Sequence, residues 1–593
     1  MTDHLPETAI TRLFERELRD GDAVWLSLPG GTPLFRAGET ADHLYLLRTG
    51  RLAAIRHEDG QESQFLGLIR PGEAVGEMSL IVGAPHSADV VALRDSELFA
   101  LPRDAFFAAG DRDARMMTEL ARLMILRSRQ TAAKGSVGEP SVFGFIGIGQ
   151  ISVRPIVERI GAAVEALGYS VVVAGAEVMQ APTEWFSNVE HDHDFVLYAA
   201  EATDLAWKHL VGRQVDRLFR IARGSRKPTP AMAESYVSEA LQGQQLVDLV
   251  LVQKDDGQAP QGSDEWVNAT QPARLFQLRE KNAADIQRLA RVLTGQSVGL
   301  VLSGGGARAY AHVGAIRALH AHNVPIDFVS GVSMGGIIAA GVAMGWDDEE
   351  MDRRIRAAFV ESSPLDDIAF PLLAMTRGLK VNERLRLHFG DRQISDLWLP
   401  FFCLSSNLTT GAYQLHKQGV LWEALRASIA LPGIMPPVTI GNNVLVDGAV
   451  IKNFPADVMR AMQMGPIVGV DVTSGRSLDA AAMSKAPPLL HWLFSGEWRR
   501  GPPIVSLLMR AATVTTGRDL AAAREASDML ILPQVDKVEI RDWKAFDPAV
   551  EAGYKATMVA LDKLKVPVTD LRRRLSLTEL RAESAVAFTA LRS

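Results

Sequence analysis

Residues 327–336 read DFVSGVSMGG, and the fold of the second half of the chain turns on that stretch. PIDFV is a short apolar run with strand character, and GIIAAGVAMG after it has the length and glycine content of a buried helix rather than of a membrane span. Between them lies Gly331-x-Ser333-x-Gly335, the pattern in which a serine on a sharp strand-to-helix turn stands above the edge of a sheet. The plainer reading is a glycine-rich connection with an incidental serine, because short motifs recur by chance. A hydroxyl becomes a nucleophile only when a base takes its proton. The reading therefore needs a base elsewhere in the chain.

Upstream, SVGLVLSGGGARAYAHVGAIRALHAHN reads as strand, glycine loop and helix. Consecutive Gly304, Gly305 and Gly306, followed by Ala307 and Arg308, let backbone N–H groups face one point ahead of a helix, which suits a phosphate or a developing oxyanion. A phosphate loop would end in Gly-Lys-[Ser/Thr], and a dinucleotide fingerprint would want glycine where Ala309 stands. An oxyanion hole explains the loop better. Downstream, VLVDGA places Asp447 at the end of an apolar strand, followed by Gly448 and Ala449. A partly desolvated carboxylate there is basic enough to accept the proton of Ser333 directly. His312 in AYAHVG and His416 in YQLHKQG remain alternatives, and the first is better explained as a helix-packing residue.

The rest of the chain falls into blocks, giving a multidomain α+β and α/β protein. Residues 1–130 hold short apolar runs punctuated by turns, which predict an antiparallel β-roll with helices. His57-Glu58-Asp59-Gly60 looks like a hairpin turn, and DAFFAAGDRDARMMTELARLMILRSRQ has helical spacing. A linker is expected over 131–141. Over 142–295, FGFIGIGQ, YSVVVAG, HDFVLYAA, VDRLFRIARG and QLVDLVLVQ alternate with helical stretches, which implies a Rossmann-like parallel sheet covered on both faces. A second α/β block occupies 296–570, and a helical tail 571–593.

Composition excludes several classes. Of 593 residues, 47% are hydrophobic and 22% charged, as in ordinary globular chains. A net charge of −7 gives no reason to expect nucleic acid as a partner. Cys403 stands alone, so there is no intramolecular disulfide and no cysteine-based zinc site, which fits a reducing compartment. The first residues carry acids and no apolar core, unlike a secretory signal. The expectation is a cytoplasmic protein, peripheral at the inner face of a membrane, with no metal and no cofactor.

Together, S-GGG-AR, G-VSMG-G and V-DGA resemble the patatin-like phospholipases. IQRLARVLTGQSVGLVLSGGGARAYAHVG, DLWLPFFCLSSNLT and VLVDGAVIKNFPADV are similar to the neuropathy target esterase branch, as is the block before them. The resemblance implies a patatin-like α/β hydrolase domain over 296–570 and a serine–aspartate dyad with Ser333 as nucleophile and Asp447 as base. It also implies an oxyanion loop of Gly304, Gly305 and Gly306 with Arg308 as the following basic residue. The implied activity is hydrolysis of fatty-acyl esters of phospholipids or lysophospholipids through an acyl-enzyme, with a membrane surface as partner. The competing reading is a catalytically silent scaffold or nucleotide sensor on a hydrolase fold.

PLFRAGETADHLYLLRTGRLAAI and PGEAVGEMSLIVGAPHSADVVAL resemble the cyclic-nucleotide-binding fold. Gly76 and Glu77 match its phosphate cassette, as do Ser87 and Ala88, but His86 stands where binding members carry arginine. A histidine is mostly neutral at pH 7 and offers one donor in place of a charged fork. That exchange costs about two orders of magnitude in affinity for a phosphate. Weak or absent cyclic AMP and cyclic GMP binding is expected unless Arg94 or Arg103 substitutes. Two stretches are candidates for lipid contact. APPLLHWLFSGEWRRGPPIVSLLMR (486–510) mixes aromatic, apolar and basic residues, with a core helix as the alternative. The run Arg572-Arg573-Arg574 reads more simply as a solvated helix face.

Overall fold

The computed structural model describes residues 9–56, 64–112, 117–118, 140–229, 247–362, 367–369, 374–473 and 517–579. Contacts divide the chain into two compact units. One comprises Met1–Ala222, Thr229–Leu249 and Leu575–Ser593; the other comprises Arg223–Pro228 and Val250–Arg574. The expected 142–295 block is shared between the two units. The hairpin turn at 57–60, most of the linker and the 486–510 stretch lie outside the described residues.

In the first unit, two four-stranded sheets form the roll. One orders Val24–Leu28, Ser96–Pro102, His43–Thr49 and Ala74–Val75; the other orders Pro33–Phe35, Asp89–Ala92, Leu52–Arg56 and Gln64–Ile69. Their pairings are antiparallel, and alternation drives the inward residues Leu44, Leu46, Phe99 and Leu101 into a core with Phe14 and Phe106 of the flanking helices. The strands that follow run parallel, in the order Val171–Ala174, Phe195–Ala200, Val142–Gly147 and Arg217–Arg223. Phe195–Ala200 is buried along its whole length, as a strand covered on both faces must be. Ala53, Ile55 and Val91 of the roll share one apolar cluster with Val142, Ile146 and Val196 of this sheet.

The second unit holds the sheet that carries the site. Its strands are β1 (Gly299–Leu302), β2 (Phe328–Val332), β3 (Phe401–Asn407), β4 (Ala412–His416), β5 (Val438–Ile440), β6 (Asn443–Asp447), β7 (Ile467–Val470) and β8 (Met529–Ile531). They are ordered β5-β6-β3-β2-β1-β7-β8, and β4 also pairs with β3. The central strands are parallel, whereas β4, β5 and β6 join antiparallel. Helix α1 (Ala311–Ala321) follows the glycine loop, and α2 (Met334–Ala343) follows Ser333 with all ten of its residues buried. No helix among the described residues is long and apolar enough to cross a membrane.

The tail departs from expectation. Residues 571 and 572 form a turn, 573–576 have no regular structure, and helix begins at Leu577. Ser576 and Glu579 explain the delay: the Glu579 N–H donates to Ser576 Oγ, and the Ser576 N–H donates to the Glu579 carboxylate. That reciprocal pair is a capping box, and it fixes where the helix starts. Within the preceding basic run, Arg572 is ion-paired with Asp528 at 2.7 Å.

Candidate active site

The site is assembled at the carboxyl ends of β1 and β2. Ser333 leaves β2 with φ 53° and ψ −130°, a left-handed conformation that costs a non-glycine residue about 1–3 kcal/mol. The glycines on either side make the turn sterically feasible. A Cβ at Gly331 would strike the backbone of Gly335, and one at Gly335 would strike the carbonyl oxygens of Ser303 and Leu302. The Ser333 N–H is held by Ser428 Oγ at 2.9 Å. Ser428 escaped the sequence reading because nothing in RASIALPG distinguishes one serine 95 residues away.

Asp447 arrives from the other side. Consecutive residues of β3, Leu404 and Ser405, stand opposite Val332 and Asp447, so one strand sets the end of β2 and the end of β6 side by side. The Ser333 hydroxyl donates to Asp447 Oδ2 at 2.6 Å, and the Ala449 N–H donates to Oδ1 at 2.9 Å. Asp447 is 2% exposed. Burial raises its pKa to about 6, against the opposing pull of the Ser333 and Ala449 hydrogen bonds. Gly448 must be small there, because a Cβ would meet the Leu404 carbonyl oxygen at 2.5 Å.

The glycine loop lies against this pair. A Cβ on Gly304 would be 3.1 Å from that of Ser333. The Gly304 N–H, however, is taken by Asn453, donating to its Oδ1 at 3.1 Å, while Asn453 Nδ2 donates back to the Gly304 carbonyl at 3.2 Å. Asn453, in VIKNFP, is a second positioning residue the sequence did not reveal. Among the described residues, the N–H groups of Gly305 and Gly306 meet no acceptor. Arg308 Nε donates to the Val538 carbonyl at 2.7 Å and ties the loop to the following segment.

Neither candidate histidine touches Ser333 among the described residues. His312 is fully buried, with Nε2 2.8 Å from the Ser303 carbonyl, and burial lowers its pKa to about 4. His416 Nε2 lies 2.7 Å from Ser405 Oγ, also buried, also lowered to about 4. Both are neutral at ordinary pH and committed to packing contacts. In the roll, Gly76 is left-handed at φ 90° and caps the helix of Glu77–Val82; Glu77 and Ala88 are buried and Ser87 is exposed. The His86 ring stacks on Phe35 at 3.6 Å and 9°. Arg94 is no substitute for the missing arginine, because both its terminal nitrogens bind Glu190, at 2.6 and 2.5 Å. Arg103 lies over the Phe107 ring.

Comparison with known proteins bears on both halves. A family model for patatin-like phospholipases matches residues 300–460, and one for cyclic nucleotide-binding domains matches residues 25–113. An uncharacterized NTE family protein of Mycobacterium tuberculosis is 31% identical over 554 residues, covering 90% of this chain and 91% of its own. Human patatin-like phospholipase domain-containing protein 6 is 28% identical across 95% of this chain, which spans 46% of that longer protein. Among solved structures, a cyclic nucleotide-binding domain from Methylobacillus flagellatus is 26% identical over 20% of this chain and 70% of its own, with a TM-score of 0.19.

Proposed function

The chain belongs to the NTE family, and on that premise we propose that it is a serine esterase that hydrolyses the fatty-acyl esters of phospholipids and lysophospholipids through Ser333 and Asp447. The observation that carries the reading is the 2.6 Å hydrogen bond from the Ser333 hydroxyl to a buried carboxylate. As Oγ attacks the acyl carbonyl carbon, its proton passes to Asp447. The carbonyl oxygen becomes an oxyanion opposite the N–H groups of Gly305 and Gly306, where each donor is worth about 3–4 kcal/mol of barrier. The bond from acyl carbon to glycerol oxygen then breaks, and the departing alkoxide takes the proton from Asp447. Water, deprotonated by the same carboxylate, attacks the acyl-serine, releases the fatty acid and restores the hydroxyl.

A buried carboxylate suits this double role. It is basic enough to accept a proton from serine, and protonated Asp447 is acidic enough to return it to an alkoxide. The roll enters the reading as a regulatory module that does not take a cyclic nucleotide phosphate, because His86 is stacked where the charged fork belongs.

The test is labelling with a fluorophosphonate followed by peptide mapping, alongside release of fatty acid from lysophosphatidylcholine. Label is expected on Ser333, and Ser333→Ala should abolish both labelling and release while the thermal unfolding transition persists. Release that survives in Ser333→Ala would sink the assignment.

A further inference from the structure

The antiparallel strands beside the site end in two hairpin tips whose residues do not match a packed or solvated surface. Leu408, Tyr413 and Ile440 are 56%, 41% and 41% exposed. The first two flank the turn between β3 and β4, and the third begins the turn between β5 and β6. The two turns brace each other. The Leu408 N–H donates to the Val444 carbonyl at 2.9 Å, and the Val444 N–H donates to Thr409 Oγ1 at 3.0 Å. Asn407 Oδ1 accepts from the N–H groups of Thr409 and Thr410 at 3.0 and 3.3 Å, so the β3–β4 turn is held internally as well. These tips are built, not frayed.

Their charge pattern says what they meet. No Asp, Glu, Lys or Arg occurs between 397 and 416 or between 427 and 446, in a chain of which 22% is charged. Nothing on the tips would have to be stripped of a charged hydration shell. Asparagine and threonine supply hydrogen bonds for a headgroup layer, and leucine, isoleucine and tyrosine supply apolar area. A cation stands beside them: Lys452 Nζ lies 5.5 Å from the Tyr413 ring centroid and 2.6 Å from Asp457. Exposed apolar and aromatic groups with a basic group beside them suit an acyl–headgroup boundary.

Position gives the second argument. Ser405 is opposite Asp447, and Leu408 lies three residues further along the same strand direction, so the tips project roughly 10 Å past the reactive pair at the same end of the sheet. We propose that the paired turns at 408–413 and 440–442 are the surface by which the protein lies on a phospholipid bilayer, with the Ser333–Asp447 pair facing that surface. The proposal rests on the esterase reading for its substrate but is tested without turnover.

The full chain is sedimented with vesicles of phosphatidylcholine and phosphatidylglycerol. The wild type should sediment with them, and a variant carrying Leu408→Asp, Tyr413→Asp and Ile440→Asp should partition at least about tenfold less. The ratio of vesicle phospholipid hydrolysis to hydrolysis of a water-soluble short-chain ester should fall by the same factor. Equal partitioning of the two proteins, a wild type that stays in solution, or a variant altered only in self-association overturns the proposal. A chain that sediments but cleaves neither ester overturns the esterase reading and leaves the surface standing. Should the triple variant fail to fold, Leu408→Cys labelled with an environment-sensitive fluorophore replaces it. The native Cys403 is fully buried, so the label is selective. An emission rise on adding vesicles is expected, and its absence overturns the proposal.

Discussion

Asp447 is the group that should set the pH behaviour of the proposed esterase. In the proposed mechanism it works as a carboxylate, and burial holds its pKa near 6, so kcat/KM should fall about tenfold per unit of pH below that value and be level above it. Stability runs the other way. The folded pKa lies above the ordinary 3.8, so the native state binds this proton more tightly than the unfolded chain does. The group's stabilisation is present at acid pH and is lost as pH rises through about 6. Activity should therefore drop on acidification before the melting temperature does. Asp447→Asn keeps the shape and removes the base; fatty-acid release should fall about 10³-fold, and the acid limb of the remaining activity should vanish. The candidate positions Ser333 and Asp447 were readable because Ser333 follows an apolar strand between Gly331 and Gly335, and Asp447 ends one immediately before Gly448. Ser428 and Asn453 were not, because a polar residue that anchors a distant backbone group leaves no local pattern.

At the scale of elements, the glycine loop depends on what lies behind it. Helix α1 crosses α3 (Phe546–Asp562) with the backbones in contact. A Cβ at Gly314 would strike the Val550 carbonyl oxygen, and one at Gly553 the Ala311 carbonyl oxygen. Gly314→Ala should cost at least about 1–3 kcal/mol, because the obstacle is backbone and cannot rotate away. It should also lower turnover by displacing the loop that α1 continues. A thermal melt and an ester assay on the same preparation check both. Strands and helices of the α/β blocks were legible from apolar runs and glycine stops. The close crossing was not, since AHVGAI and EAGYKA look like ordinary helix with a weak residue in each. The tail shows the converse, where helical spacing from 571 overruled the S-x-x-E signal that sets the start at 577.

Across the first unit, the roll and the adjoining sheet are joined by more than chain. Besides their shared apolar cluster, Arg94 pairs with Glu190 at 2.5 Å, and Arg51 pairs with Asp216 at 2.5 Å, all four largely buried. Removing one partner of a buried pair strands the other charge, so Arg94→Ala should destabilise this unit by about 3–5 kcal/mol, read as a shift in urea unfolding. Calorimetry with cyclic AMP on the full chain should show no binding, and tight binding would reverse the reading of His86. The two folds were legible separately from strand spacing and β/α alternation. Their union was not, because its contacts join residues 96 positions apart and no periodicity spans that distance.

One strand measures out the spacing of Ser333 and Asp447. Since Leu404 and Ser405 are the rungs opposite Val332 and Asp447, the length of the intervening chain is irrelevant to that spacing. Extra residues spliced into the exposed turn at Gly390 and Asp391 should be tolerated with hydrolysis intact, whereas deleting a single residue within β3 would slide one partner past the other by about 3.3 Å and silence it.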